Sequence, residues 1–125
     1  MKRYDVYGVG NALVDTEFEV TEDFLKEHKI EKGCMSLLDA QRHQSLSKIL
    51  RQDFEVKKQS GGGSAGNTMY ALTQFGGKAF YSCKVASDSV GEYFLGELQH
   101  NNIETSNQEK TPGSSGQCLI MVTPD

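Results

Sequence analysis

The chain has 125 residues, 37% hydrophobic and 24% charged, and 13 basic against 17 acidic residues give it a net charge of −4. That is enough for one modest domain with its own core and too little for two. The acidic balance, with no basic run longer than Lys57-Lys58, points away from a nucleic-acid-binding surface. The opening MKRYDVYGVG lacks the apolar stretch of a secretory signal, and no apolar run reaches the length of a membrane span. A cytoplasmic protein is expected, with no membrane or nucleic-acid partner. Cys34, Cys83 and Cys118 are too widely spaced for a disulfide framework or a zinc site, and are expected as buried thiols in a reducing compartment. His28, His43 and His100 show no metal-ligand spacing and are expected at the surface.

In chain order, Tyr4–Gly10 is a short β-like stretch ending in glycine. Val14, Thr16, Phe18 and Val20 then alternate with Asp15, Glu17 and Glu19, and period two predicts a half-exposed strand. A dinucleotide-binding fold would place a helix there, and GVGNAL also lacks the third small residue of the pyrophosphate fingerprint. Thr21 caps a short helix through about His28. Residues 33–39, GCMSLLD, read as a further strand, closed by Asp39 as the cap of a helix that buries Leu46, Ile49 and Leu50. FEVKKQ reads as a strand running into glycines, after which Ala65, Met69, Leu72 and Phe75 recur at helical spacing up to Gly76-Gly77. KAFYSCKVA is a strand, and Ser89 with Glu92 forms a capping box for a helix burying Val90, Phe94 and Leu98. Residues 101–116 are the most loop-like stretch, and QCLIMVT is a last strand. The alternation implies an α/β domain with a mostly parallel sheet, from which the half-polar strands near Asp15 and Leu37 project as a separate small sheet.

The run GGGSAGN at 61–67 sits between a predicted strand and a predicted helix, so it is not a linker between cores. It is not a Walker A loop either, because no Gly-Lys-Ser/Thr follows. Glycines at that edge let backbone approach a ligand closely, and Asn67 adds a donor and an acceptor suited to a hydroxyl. A tight turn with glycines needed only for packing is the alternative.

GVGNALVD, GGGSAGNTMYALTQFGG and VASDSVGEYF, in this order and spacing, resemble the N-terminal half of ribokinase-like (PfkB-type) carbohydrate and nucleoside kinases. The resemblance covers essentially the whole chain. It implies the N-terminal part of a ribokinase-like α/β domain over residues 1–125, with lid strands at about 13–20, 34–38 and 117–123. It also implies that Asn11, Asp15, Gly62, Gly63 and Asn67 bind substrate, with Asp15 holding its hydroxyls. Met69 replaces a usual small residue and Ala86 a usual glycine, while Gly10-Asn11 and the Gly62–Ser64 triplet look closer to adenosine-kinase-type members. The implied activity is ATP-dependent transfer of a γ-phosphate to a primary hydroxyl of a sugar or nucleoside. The catalytic base, the anion hole and the main ATP and Mg²⁺ contacts would lie C-terminal to Asp125, leaving no catalytic or metal residue here and no turnover by 1–125 alone. A non-catalytic sugar- or nucleoside-binding domain is the alternative. Lid sheets pair between subunits in some members of that family and not in others, so a homodimer through the lid strands is one expectation.

Overall fold

A computed structural model describes residues 2–106 and 111–125. Its elements are β1 (Val6–Val9), β2 (Leu13–Glu19), α1 (Glu22–Glu27), α2 (Ala40–Asp53), β3 (Val56–Gly62), α3 (Ser64–Gln74), β4 (Ala79–Ser82), α4 (Ser89–His100) and β5 (Gly116–Val122). The fold is ribokinase-like in its N-terminal part, a mixed α/β arrangement with parallel strand pairing. Of the loop expected at 101–116, residues 107–110 lie outside the described residues.

The chain divides into two compact units, one of Met1–Asp15 with Ser60–Cys118, the other of Thr16–Gln59 with Leu119–Asp125. In the first, β1 and β4 pair in parallel, Val6 opposite Ala79 and Val9 opposite Ser82, and α3 packs on both. Its core gathers Val14, Met69, Tyr81, Val85, Phe94 and Leu98. Met69 reaches over the strand at Gly8, where a Cβ would come 2.9 Å from its sulfur. A bulky helix residue is thus accommodated by a bare strand position.

The α4 cap departs from expectation. Asp88, not Ser89, is the N-cap, with Oδ1 accepting from the Gly91 amide at 2.8 Å. The same carboxylate accepts the Ser115 hydroxyl at 2.6 Å and the Ser115 amide at 2.8 Å, and Ser115 Oγ accepts from the Ala86 amide at 2.9 Å. Burial opposes the Asp88 charge, but the hydrogen bonds from Ser115 and Gly91 outweigh it and hold the carboxyl below its ordinary value. A carboxylate with three donors outcompetes a neighbouring hydroxyl for the cap position.

In the second unit Phe18, Val20, Phe24, Leu25, Leu46 and Leu50 form a core, with Leu119 and Met121 of β5 packed against it. Thr21 caps α1 by accepting from the Phe24 amide at 3.1 Å, and Asp39 caps α2 by accepting from the Arg42 amide at 2.7 Å. Each supplies an acceptor to a first-turn donor that the helix itself cannot satisfy.

The small sheet has the order β3-β2-β5. Residues 34–38, expected as one of its strands, form none; all of 31–40 is exposed, with Met35 at 86% and Leu37 at 93% exposure. Met35 and Leu37 alternate, but Cys34 and Leu38 fall on the opposite face, so the segment has no single apolar face to bury. Its place beside β2 goes to β3, expected in the main sheet. Phe75, expected on the buried face of α3, is 91% exposed at the helix's C-cap, and Val90 is only half-buried. The cysteines are free but not buried: Cys34 is exposed, Cys83 and Cys118 half-buried. Of the three histidines only His100 is exposed; His28 and His43 are half-buried rather than at the surface, and Nε2 of His43 is enclosed without a hydrogen-bond partner. Among the described residues no helix is long and apolar enough to cross a membrane.

Candidate functional site

Strand periodicity sets the position of Asp15. Along β2, Val14 and Thr16 are buried, which leaves Leu13, Asp15 and Glu17 half-buried on the other face. What separates Asp15 from its acidic neighbours is Gly62. A Cβ built on Gly62 would stand 2.5 Å from Asp15 Oδ2, 2.7 Å from Oδ1 and 2.7 Å from Cγ. The carboxylate therefore lies flat against bare backbone at the end of β3, in the volume any larger residue would fill.

The glycine run contains no free loop. Gly61 and Gly62 belong to β3, Gly63 is the N-cap of α3, and Ser64 starts the helix. Gly63 takes φ 88° and ψ 142°, a conformation essentially confined to glycine. It offers no side-chain cap, so the first turn of α3 presents backbone N–H groups and the positive end of the helix. Asn67 donates its amide to the Gly63 carbonyl at 2.9 Å and is exposed in that first turn.

Asn11 follows β1, whose ladder ends with the Gly10 amide donating to the Ser82 carbonyl at 3.1 Å. Its carbonyl accepts the Tyr81 hydroxyl at 2.8 Å and lies 3.4 Å from where a Gly63 Cβ would be. The sequence-predicted residues thus meet through backbone and glycine contacts: Asp15 on Gly62, Asn11 on Gly63, Gly63 on Asn67. Two exposed carboxamides and one half-buried carboxylate are offered around an uncapped helix start. Such a set can accept from and donate to hydroxyls.

The sequence reading missed several supporting residues. Leu13 packs beside Gly63 and beneath Gly116, whose added Cβ would come 2.8 Å from Leu13 Cδ2 and 2.6 Å from the Ala12 carbonyl. Period two alone puts Leu13 on the face of Asp15, so that signal was present. Burial, and after it the Asp15 charge, push the Cys118 thiol up, which keeps it protonated beside the carboxylate. No local pattern pointed to Cys118 or Tyr81. Among the described residues no group of three or more His, Cys, Asp or Glu could hold a metal ion.

Residues 34–125 match the pfkB family of carbohydrate kinases. A probable sugar kinase from Rhizobium etli is 34% identical in sequence; its structure superposes with a TM-score of 0.80 over 100% of this chain and 37% of its own. The adenosine kinase of Sinorhizobium meliloti is 33% identical, with a TM-score of 0.80 over 99% of this chain and 37% of its own. Adenosine kinase of Saccharomyces cerevisiae is 25% identical over 119 residues, 92% of this chain and 35% of the relative. The chain spans little more than a third of the length of these relatives.

Proposed function

The chain belongs to the pfkB family of carbohydrate kinases, and from that premise we propose that the whole protein is an ATP-dependent kinase acting on a primary hydroxyl of a nucleoside, with residues 1–125 supplying the acceptor-binding half. The observation that carries this reading is the Asp15 carboxylate seated against Gly62, one residue before the uncapped start of α3. A free helix start alone would suit a phosphate. A carboxylate beside it repels phosphate and accepts hydroxyls, so the site suits a neutral polyol such as a ribose ring. Asp15 accepts two sugar hydroxyls, Asn11 and Asn67 complete their hydrogen bonding, and Gly62 and Gly63 let the sugar approach the backbone. The three-stranded sheet serves as a lid that keeps water from the acceptor.

For the same electrostatic reason the residues present do not fit the phosphates of ATP, and among the described residues no group of three or more His, Cys, Asp or Glu could hold its Mg²⁺. The base, the anion hole and the nucleotide site belong to residues beyond Asp125, and 1–125 alone turns nothing over. A nucleoside is preferred because Gly10-Asn11 and the Gly62–Ser64 triplet look closer to adenosine-kinase-type members and because two of the relatives are adenosine kinases. A sugar acceptor is the second reading, favoured by the similarity to the Rhizobium etli protein. Two copies pairing along an outer strand of the small sheet would cover backbone groups that an edge leaves open. Three free thiols, one of them exposed, suit a reducing cytoplasm.

The test is a thermal-shift screen of the full-length protein with adenosine, inosine, ribose and fructose, followed by ADP release from ATP with each. Stability should rise with adenosine concentration as mass action requires, and ADP should appear only with a ligand that stabilises. Stabilisation without ADP release would make the protein a non-catalytic binder, and no stabilisation by any of the four would refute the hydroxyl-binding site.

A further inference from the structure

Tyr81 of β4 is fully buried, and a buried phenol has to find a hydrogen-bond partner. It finds the Asn11 carbonyl, at 2.8 Å. The strand beneath it is held by β1 on one side, with Gly8 opposite Tyr81, and by residues 104–105 on the other. The Tyr81 amide donates to the Glu104 carbonyl at 2.8 Å, and its carbonyl accepts the Thr105 hydroxyl at 2.7 Å. Its ring lies against Phe94, with centroids 6.4 Å apart.

From this fixed base the side chain reaches both arms of the candidate site. A Cβ on Gly10 would stand 2.6 Å from the Tyr81 hydroxyl and 2.6 Å from the Ala65 Cβ, so Gly10 is bare because the phenol and the first turn of α3 converge on it. A Cβ on Gly66, in the same turn, would be 3.9 Å from the Tyr81 ring. The carbonyl that the phenol holds is also the atom nearest to a Cβ on Gly63, at 3.4 Å.

We propose that Tyr81 is a positioning residue for acceptor binding: its hydroxyl fixes the Asn11 backbone against the start of α3, and so sets the spacing between Asn11 and the Gly63–Asn67 turn. It touches no ligand itself and acts through Asn11. The inference rests on the hydroxyl-binding reading of the site given above. Removing the hydroxyl leaves the ring to fill the core but frees the Asn11 carbonyl, and its side chain is then presented over a range of positions instead of one.

The experiment uses the full-length protein and adenosine as probe. Tyr81→Phe should raise KM for adenosine, and the calorimetric Kd, by about tenfold. KM for ATP and kcat should stay within about twofold, because the reading on which the inference rests gives Asn11 a contact to the acceptor alone. Gly10→Ala crowds the same hydroxyl with the tyrosine in place and, because its methyl also meets Ala65 of α3, has to raise the adenosine KM at least as far as Tyr81→Phe does. A lowered melting temperature with unchanged adenosine KM in Tyr81→Phe would make the phenol a packing residue and overturn the inference. So would equal losses for adenosine and ATP. The two levels separate cleanly: if wild-type protein binds adenosine and Asp15→Ala does not, an unaffected Tyr81→Phe refutes positioning alone. If wild-type protein binds no adenosine, the site reading fails and the inference fails with it.

Discussion

Replacing Gly62 by alanine tests the contact on which the site is built. The new methyl would start 2.5 Å from Asp15 Oδ2 and 2.7 Å from both Oδ1 and Cγ. Non-bonded carbon and oxygen atoms do not approach that closely, so the carboxylate has to swing off the backbone. Asp15 is half-buried and has solvent to move into, so the cost belongs at the low end of overpacking, about 1 kcal/mol. Acceptor binding should suffer more. A carboxylate forced off its seat loses hydrogen bonds to hydroxyls worth roughly 1.5–3 kcal/mol each, or at least about tenfold in affinity. Calorimetry with adenosine and thermal melts of Gly62→Ala, Asp15→Ala and the double variant make the measurement. The double variant should recover most of the melting temperature lost by Gly62→Ala, since no carboxylate remains to be displaced, yet should bind no better. Full affinity in Gly62→Ala would refute the reasoning, because the seat of the carboxylate would then be irrelevant to the ligand.

Gly63→Val places a β-branched side chain at φ 88°, with its Cβ 3.4 Å from the Asn11 carbonyl. The strain, of order 1–3 kcal/mol, should raise the acceptor KM about tenfold or more and leave the ATP KM within about twofold; equal effects in steady-state kinetics would favour a packing turn. Burial lowers the pKa of His43 below its ordinary 6.5, so the folded protein prefers the neutral ring. Stability from this group is complete above 6.5 and is lost as pH falls from there through the lowered folded value. His43→Leu should therefore narrow the gap between melting temperatures at about pH 7.5 and about pH 5.5, and an unchanged gap would contradict the assignment.

Local signals were legible where a short stretch determines its own structure. The alternation of Val14, Thr16, Phe18 and Val20 gave β2 its buried face, and Thr21 and Asp39 cap the helices their positions announced. Pairing was not legible, because it is decided by residues far apart in the chain. GCMSLLD has the apolar content of a strand but no partner, while β3, with its lysines and glycines, takes the place beside β2. Asp88 outranks Ser89 as a cap through Ser115, which no local window contains. The motifs placed Asp15 and Gly62 in one pocket by resemblance, but that the carboxylate lies in the space left by the missing side chain is a fact of the tertiary structure. Tyr81 reads as an ordinary strand tyrosine until its hydroxyl is seen on Asn11.

The central claim is that Asp15 binds the hydroxyls of the acceptor, and the direct measurement is kcat/KM for adenosine in full-length wild-type protein and Asp15→Ala. Two charged hydrogen bonds at roughly 1.5–3 kcal/mol each, together with ligand hydroxyls left unpaired, predict a loss of at least about a hundredfold. The melting temperature without ligand should barely move, since a half-exposed carboxylate contributes little to stability. Unchanged kcat/KM in a folded Asp15→Ala variant would contradict the account.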